Sequence, residues 1–161
     1  MTEAATDAAE RVFLVVVDDS AEMKVALRYA CRRARKTGGR VALLYAIEPQ
    51  DHQHWMAVGD LMREEARAEA EQVLQKLAAK VNDWTGTMPV LYVREGARGD
   101  QLFKLIEEEP SISILVLGAS PGPKGPGPLV SLVAGKMAGK LRVPVTIVPG
   151  DLSYEDVDKI S

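Results

Sequence analysis

Two short stretches carry residues whose types and spacing could do chemistry. The first is Asp18-Asp19-Ser20, where the apolar run Val12–Val17 stops at a pair of carboxylates and a hydroxyl. The second is Gly118–Gly135, rich in Gly and Pro, between the apolar run Ile112–Leu117 and an apolar-periodic segment, Leu129–Leu141. Strand, glycine-rich loop and helix in that order aim free backbone N–H groups and a positive helix end at an anion. A mobile surface connection is the plain alternative for such a loop. The two stretches gain meaning together, as a carboxylate and an anion loop on facing walls of one crevice.

Other candidates are weaker. His52 and His54 are two apart and could share a metal in an extended chain, with Asp51 or Asp60 completing the site. A solvated polar loop explains them as well. Cys31 is the only cysteine, which excludes a disulfide framework and a cysteine cluster for zinc. It lies on an apolar helical stripe, so its expected role is packing. Gly135-Lys136 does not make a Walker loop, because Val130 stands where its first Gly belongs and Met137 where Ser or Thr belongs. No nucleophile–base pair is visible, since both histidines fall in one loop, and no enzyme is expected.

Composition sets the frame. The chain has 161 residues, 47% hydrophobic and 27% charged, which suits one globular domain with a sizeable core. A net charge of −3 gives no electrostatic case for nucleic acid. No apolar run approaches the ~18 residues of a membrane span. Met1–Glu10 lacks the basic and apolar regions of a signal peptide, so a cytoplasmic protein is expected, with residues 1–10 as a flexible tail.

The elements that must position the two stretches follow from periodicity. Val12–Val17 and Ile112–Leu117 are continuous apolar runs, as in strands covered on both faces. Ser20 can cap a helix that buries Met23, Ala26, Leu27, Ala30, Cys31 and Ala34 and stops at Gly38-Gly39. Its basic back reads as a solvated face. Val41–Ile47 is the next strand, Glu48–Val58 a loop, and Asp60–Trp84 a long helix with Met62, Ala66, Ala70, Val73, Leu77, Val81 and Trp84 on one face. Pro89–Val93 is a strand, and Asp100 caps a helix with Leu102, Phe103, Leu105 and Ile106 inward. Val143–Val148 carries Pro144 and precedes Pro149, which sends it to a sheet edge. Strands and helices alternate throughout. The fold class is therefore α/β, a doubly wound, five-stranded parallel sheet with helices on both faces. In such sheets the ligand lies beyond the strand C-termini where the winding reverses. That point would bring Asp18 and Gly118 together.

In their order along the chain these residues resemble the universal stress protein family. Val17-Asp18-Asp19-Ser20 with Ala26-Leu27-Arg28-Tyr29-Ala30 is similar to the family's first strand and helix. Leu43-Leu44-Tyr45-Ala46 resembles its second strand, Val116-Leu117-Gly118 its fourth and Pro144-Val145 its last. The resemblance spans Arg11 to Val148, within a domain of residues 11–149, and implies a Rossmann-like fold of the adenine nucleotide alpha hydrolase kind. It also implies a stress-response domain that can bind ATP or AMP. Val16, Asp18, Ala46, Leu117 and Gly118 would hold the adenosine part. Ser120, Gly122, Lys124 and Ser131 would face the phosphates, with Lys136 or Arg98 as further cations.

The phosphate loop departs from the family's glycine pattern. An ungapped count from Gly118 puts Pro121, Ser131 and Leu132 on its later positions. Pro121, Pro123, Pro126 and Pro128 carry no N–H, which points to weak binding. The alternative within the family is a non-nucleotide dimeric interaction module. Members dimerise through the last strand, which implies a homodimer through Val143–Val148, besides protein partners that the sequence does not name. Residues 150–161 form an acidic tail expected to be dispensable, with at most a loose helix at Tyr154–Ile160.

Overall fold

Strand and helix alternate from Val12 to Ile160 in the computed structural model, which describes residues 10–49 and 52–161, with backbone alone for 52–58. The elements are β1 (Val12–Val16), α1 (Ala21–Thr37), β2 (Arg40–Ile47), α2 (His52–Thr85), β3 (Val90–Glu95), α3 (Arg98–Glu108), β4 (Ile112–Ala119), α4 (Pro128–Ala134), β5 (Val145–Pro149) and α5 (Tyr154–Ile160). All strand pairs are parallel, in the order β3-β2-β1-β4-β5. The winding therefore reverses between β1 and β4, where Val15 pairs with Val116. The expected α/β class, the switch point and the edge position of β5 are all present.

Alternation along β1 divides the core. Phe13, Val15 and Val17 join Met23, Leu27 and Leu74 on one side, while Val12, Leu14 and Val16 join Leu102, Leu105 and Ile106 on the other. Each face carries buried apolar side chains, which is why β1 and β4 read as unbroken apolar runs. On α2 the fully buried line is Ala70, Leu74, Ala78 and Val81, with Met62, Ala66, Val73, Leu77 and Trp84 half-buried beside it.

Several element boundaries differ from expectation. The stretch 48–58 is not all loop, because α2 begins at His52. No Pro interrupts it, and Gly59 costs a helix only about 1 kcal/mol. Asp100 does not cap α3 but sits in its first turn; Ala97 holds the cap position, and the Arg98 N–H donates to the Glu48 carboxylate at 3.0 Å. Helix α4 ends at Ala134 rather than Leu141. Gly135 leaves helical geometry at φ −100 and ψ −94, and residues 135–140 continue as turns.

The C-terminal stretch is the largest correction. Its helix has the expected bounds but is packed against α1. Val157 is completely buried, Asp158 takes a two-pronged ion pair from Arg28 at 2.8 and 2.7 Å, and the Ser161 carbonyl accepts from Arg33 at 3.0 Å. Tyr154 stands edge-on to Trp84 with centroids 5.5 Å apart. A stripe of Leu152, Tyr154 and Val157 is narrow in sequence, yet here it meets a prepared face that includes Trp84. Among the described residues no helix is long and apolar enough to cross a membrane.

Candidate functional site

At the C-terminal end of β1 the chain turns sharply. Asp18 Oδ1 accepts from the Ser20 N–H at 2.8 Å and from the Ser20 hydroxyl at 2.5 Å. The same hydroxyl accepts from the Met23 N–H at 3.2 Å, capping α1. The Ser20 hydroxyl thus spends its proton within the turn, whereas Asp18 Oδ2 accepts nothing among the described residues. Across the crevice, β4 runs so close to α1 that a Cβ on Gly118 would collide with the Glu22 carbonyl oxygen. Close approach of two backbones, not phosphate chemistry, requires glycine there.

The loop after β4 bonds to itself. Ser120 N–H donates to the Pro126 carbonyl at 3.0 Å, Gly122 N–H to the Ser120 hydroxyl at 3.4 Å and Gly125 N–H to the Gly122 carbonyl at 3.3 Å. Gly125 and Gly127 turn it at φ 94 and 106. The prolines have no N–H to offer. Between Ser120 and Pro128, only Lys124 and Gly127 keep an N–H that no acceptor in the described structure takes.

Two cavities meet at this end of the sheet. The one between Asp18 and Gly118 measures about 70 Å³, room for a couple of waters. The second, of about 420 Å³, lies between the end of β2 and α2, beside Ala46, Glu48, Glu65 and Glu69. Arg98 lines both. Its Nε is buried and has no hydrogen-bond partner among the described residues.

The sequence candidates divide among these places. Val16, Asp18, Leu117 and Gly118 line the small cavity, and Ala46 lines the large one. Ser120, Gly122, Lys124 and Ser131 line neither. Lys136 borders a separate groove of about 330 Å³ with Phe103, Leu132 and Lys140. The sequence offers Arg98 only as a further cation and does not single out Glu48, Glu65 or Glu69. The i,i+4 spacing of Glu65 and Glu69, level with Met62 and Ala66, was the available signal. Asp51 lies outside the described residues, as do the side chains of His52 and His54; among the described residues no three metal-ligating groups converge. Burial pushes the Cys31 thiol up to about 12, so it stays protonated and unreactive.

Comparison with known proteins agrees with this architecture. The sequence profile of the Universal stress protein family matches residues 10–149. No curated protein sequence matches the chain. Among solved structures, the universal stress protein UspA from Lactobacillus plantarum is similar over 88% of this chain and 99% of its own, with TM-score 0.72 and 18% identity. A universal stress protein in complex with cAMP matches over 89% and 100%, with TM-score 0.63 and 20% identity. One from Archaeoglobus fulgidus in complex with dAMP matches over 86% and 97%, with TM-score 0.52 and 17% identity. At these identities the likeness speaks for the fold.

Proposed function

The chain belongs to the universal stress protein family, and on that premise we propose that it is a stress-response domain that binds an adenine nucleotide weakly where β1, β2 and β4 end. The observation that carries this reading is the cavity of about 420 Å³ beside Ala46, joined to the Asp18–Gly118 crevice at Arg98. Its volume falls within the ~300–1,000 Å³ of small-molecule sites, whereas the smaller cavity alone is far below it. Apolar Ala46, Ile47 and Met62 suit a base, and the free Asp18 Oδ2 suits a donor such as an amino or hydroxyl group. The relatives described as complexes with cAMP and dAMP support the ligand class.

The affinity is low because the loop withholds its donors. A hydrogen bond to a charged phosphate is worth about 1.5–3 kcal/mol, so each missing one weakens binding roughly ten- to a hundredfold. Binding of tens of micromolar or weaker follows. Calorimetry with AMP, ADP and ATP tests the reading; no heat from any of them at millimolar ligand contradicts it.

A second reading has its own observation. β5 pairs only with β4, and Ile147 on its open edge is 41% exposed. An apolar open edge is a template for pairing with another strand. We propose a homodimer through Val143–Val148, as the interaction module that the protein would be without nucleotide. Ile147→Lys should then give monomers in light scattering, and a parent protein already monomeric at tens of micromolar contradicts the dimer.

A further inference from the structure

We infer that Arg98 is the phosphate-binding residue of this crevice and that it restricts the ligand to a nucleoside carrying a single phosphate; the inference rests on the nucleotide reading above. Among the described residues three arginines have a buried Nε without a hydrogen-bond partner: Arg32, Arg94 and Arg98. Arg32 Nε itself faces the Asp158 carboxylate as an ion pair at 3.5 Å, and Arg94 pairs with Glu108 through another guanidinium nitrogen. Arg98 pairs with no carboxylate among the described residues, and its side chain makes no hydrogen bond there. A guanidinium without an acceptor is a strong site for phosphate oxygens, which it can bind through two parallel hydrogen bonds.

The location fits that role. Arg98 stands where the two cavities meet, one lined by Ala46 and the other by the Asp18 turn, so it can serve a ligand whose base lodges beside Ala46. The backbone end of α3 is not the anion site, because the Arg98 N–H already donates to Glu48. The contact therefore falls to the side chain. The loop after β4 competes little: Lys124 lines neither cavity, Pro126 has no N–H, and of the loop's N–H groups at the small cavity only that of Gly127 is left free.

Charge then sets how many phosphates are accepted. Among the described residues Arg98 is the only Lys or Arg lining either cavity, against the carboxylates of Asp18, Glu22, Glu48, Glu65 and Glu69. One guanidinium balances one phosphate. A triphosphate would bring two further phosphates into a field of carboxylates within a Debye length of roughly 8 Å. The same carboxylates are good acceptors for ribose hydroxyls, so the surroundings favour a nucleoside part while opposing extra negative charge.

The test compares adenosine, AMP and ATP by calorimetry on the full chain and on R98Q and R98K. The parent protein should bind AMP about tenfold or more tightly than adenosine, and more tightly than ATP. R98Q should lower AMP to the level of adenosine while leaving adenosine binding and the ligand-free melting midpoint unchanged. R98K should restore part of the preference, as a point charge without the fork. Retained adenosine binding shows that the variant is folded. Undiminished AMP binding by R98Q, or ATP outbinding AMP, overturns the inference and leaves the nucleotide reading standing. If neither adenosine nor any nucleotide binds the parent, the nucleotide reading itself fails, and this inference with it.

Discussion

The loop at residues 120–127 and the C-terminal stretch at 150–161 meet their hydrogen-bonding needs in opposite ways. The loop turns inward. Its N–H groups find the Pro126 carbonyl, the Ser120 hydroxyl and the Gly122 carbonyl, all within the same few residues. The C-terminal stretch reaches across the fold to Arg28, Arg33 and Trp84, and it buries Val157 completely. The first can be altered with little consequence for the domain, and the second cannot. Glycine and proline content marks a loop as irregular but does not say whether its polar groups are free for a ligand.

Removing residues 151–161 should break the comparison at its stronger end. Loss of Val157 burial alone removes about 1.5–3 kcal/mol, and the ion pair and aromatic contact add to it. A fall in the melting midpoint on the order of 10 °C is expected by calorimetry. An unchanged midpoint would return the stretch to the status of a loose tail.

Within the glycine-rich region the expected effects separate sharply. Gly118→Ala should destabilise by about 2–3 kcal/mol, because the new methyl meets the rigid Glu22 backbone. Gly122→Ala should stay within about 0.5 kcal/mol, since only the Ser120 hydroxyl lies near, at 3.7 Å. Denaturant unfolding of the pair checks this; equal losses would mean that the loop packs as tightly as the strand end.

Asp18→Ala is expected to cost about 1 kcal/mol even without ligand, because Asp18 orients the hydroxyl that caps α1. A carboxylate with no structural part would show no shift in the melting midpoint. The smallest effect is a pH dependence at the C-terminus. The Arg28 guanidinium hydrogen-bonded to Asp158 holds that carboxyl below the usual range. A depressed carboxylate stabilises the fold above its unfolded pKa, near 3.9, and the gain is lost as pH falls through the lower folded value. Asp158→Asn should therefore lower the midpoint slightly at neutral pH and converge with the parent in acid. A gap that persists undiminished in acid would assign the effect to packing instead.

Much of the fold is legible in the sequence, for a physical reason. Val12–Val17 and Ile112–Leu117 are buried on both faces, and that leaves an unbroken apolar run. Ser20 and Gly38 mark the ends of α1 by local chemistry that needs no distant partner. What was not legible depends on meetings between distant residues. Asp158 gains meaning only beside Arg28, 130 positions away, and Glu48 caps α3 across 50. At the candidate site, Asp18 and Gly118 were readable because the switch point brings them together. Arg98 was not, because its distinction is the absence of a partner that most other buried guanidinium groups possess.

The central claim is that a nucleotide is held on the β2 side of the crevice, by Arg98 and the cavity beside Ala46, and not by the glycine-rich loop. Amide chemical shifts recorded during an AMP titration test it most directly. The account predicts the largest movements at Asp18, Ala46, Ile47, Glu48 and Arg98, with residues 120–127 almost still. Largest shifts in 120–127 with the Ala46 side unmoved would contradict it.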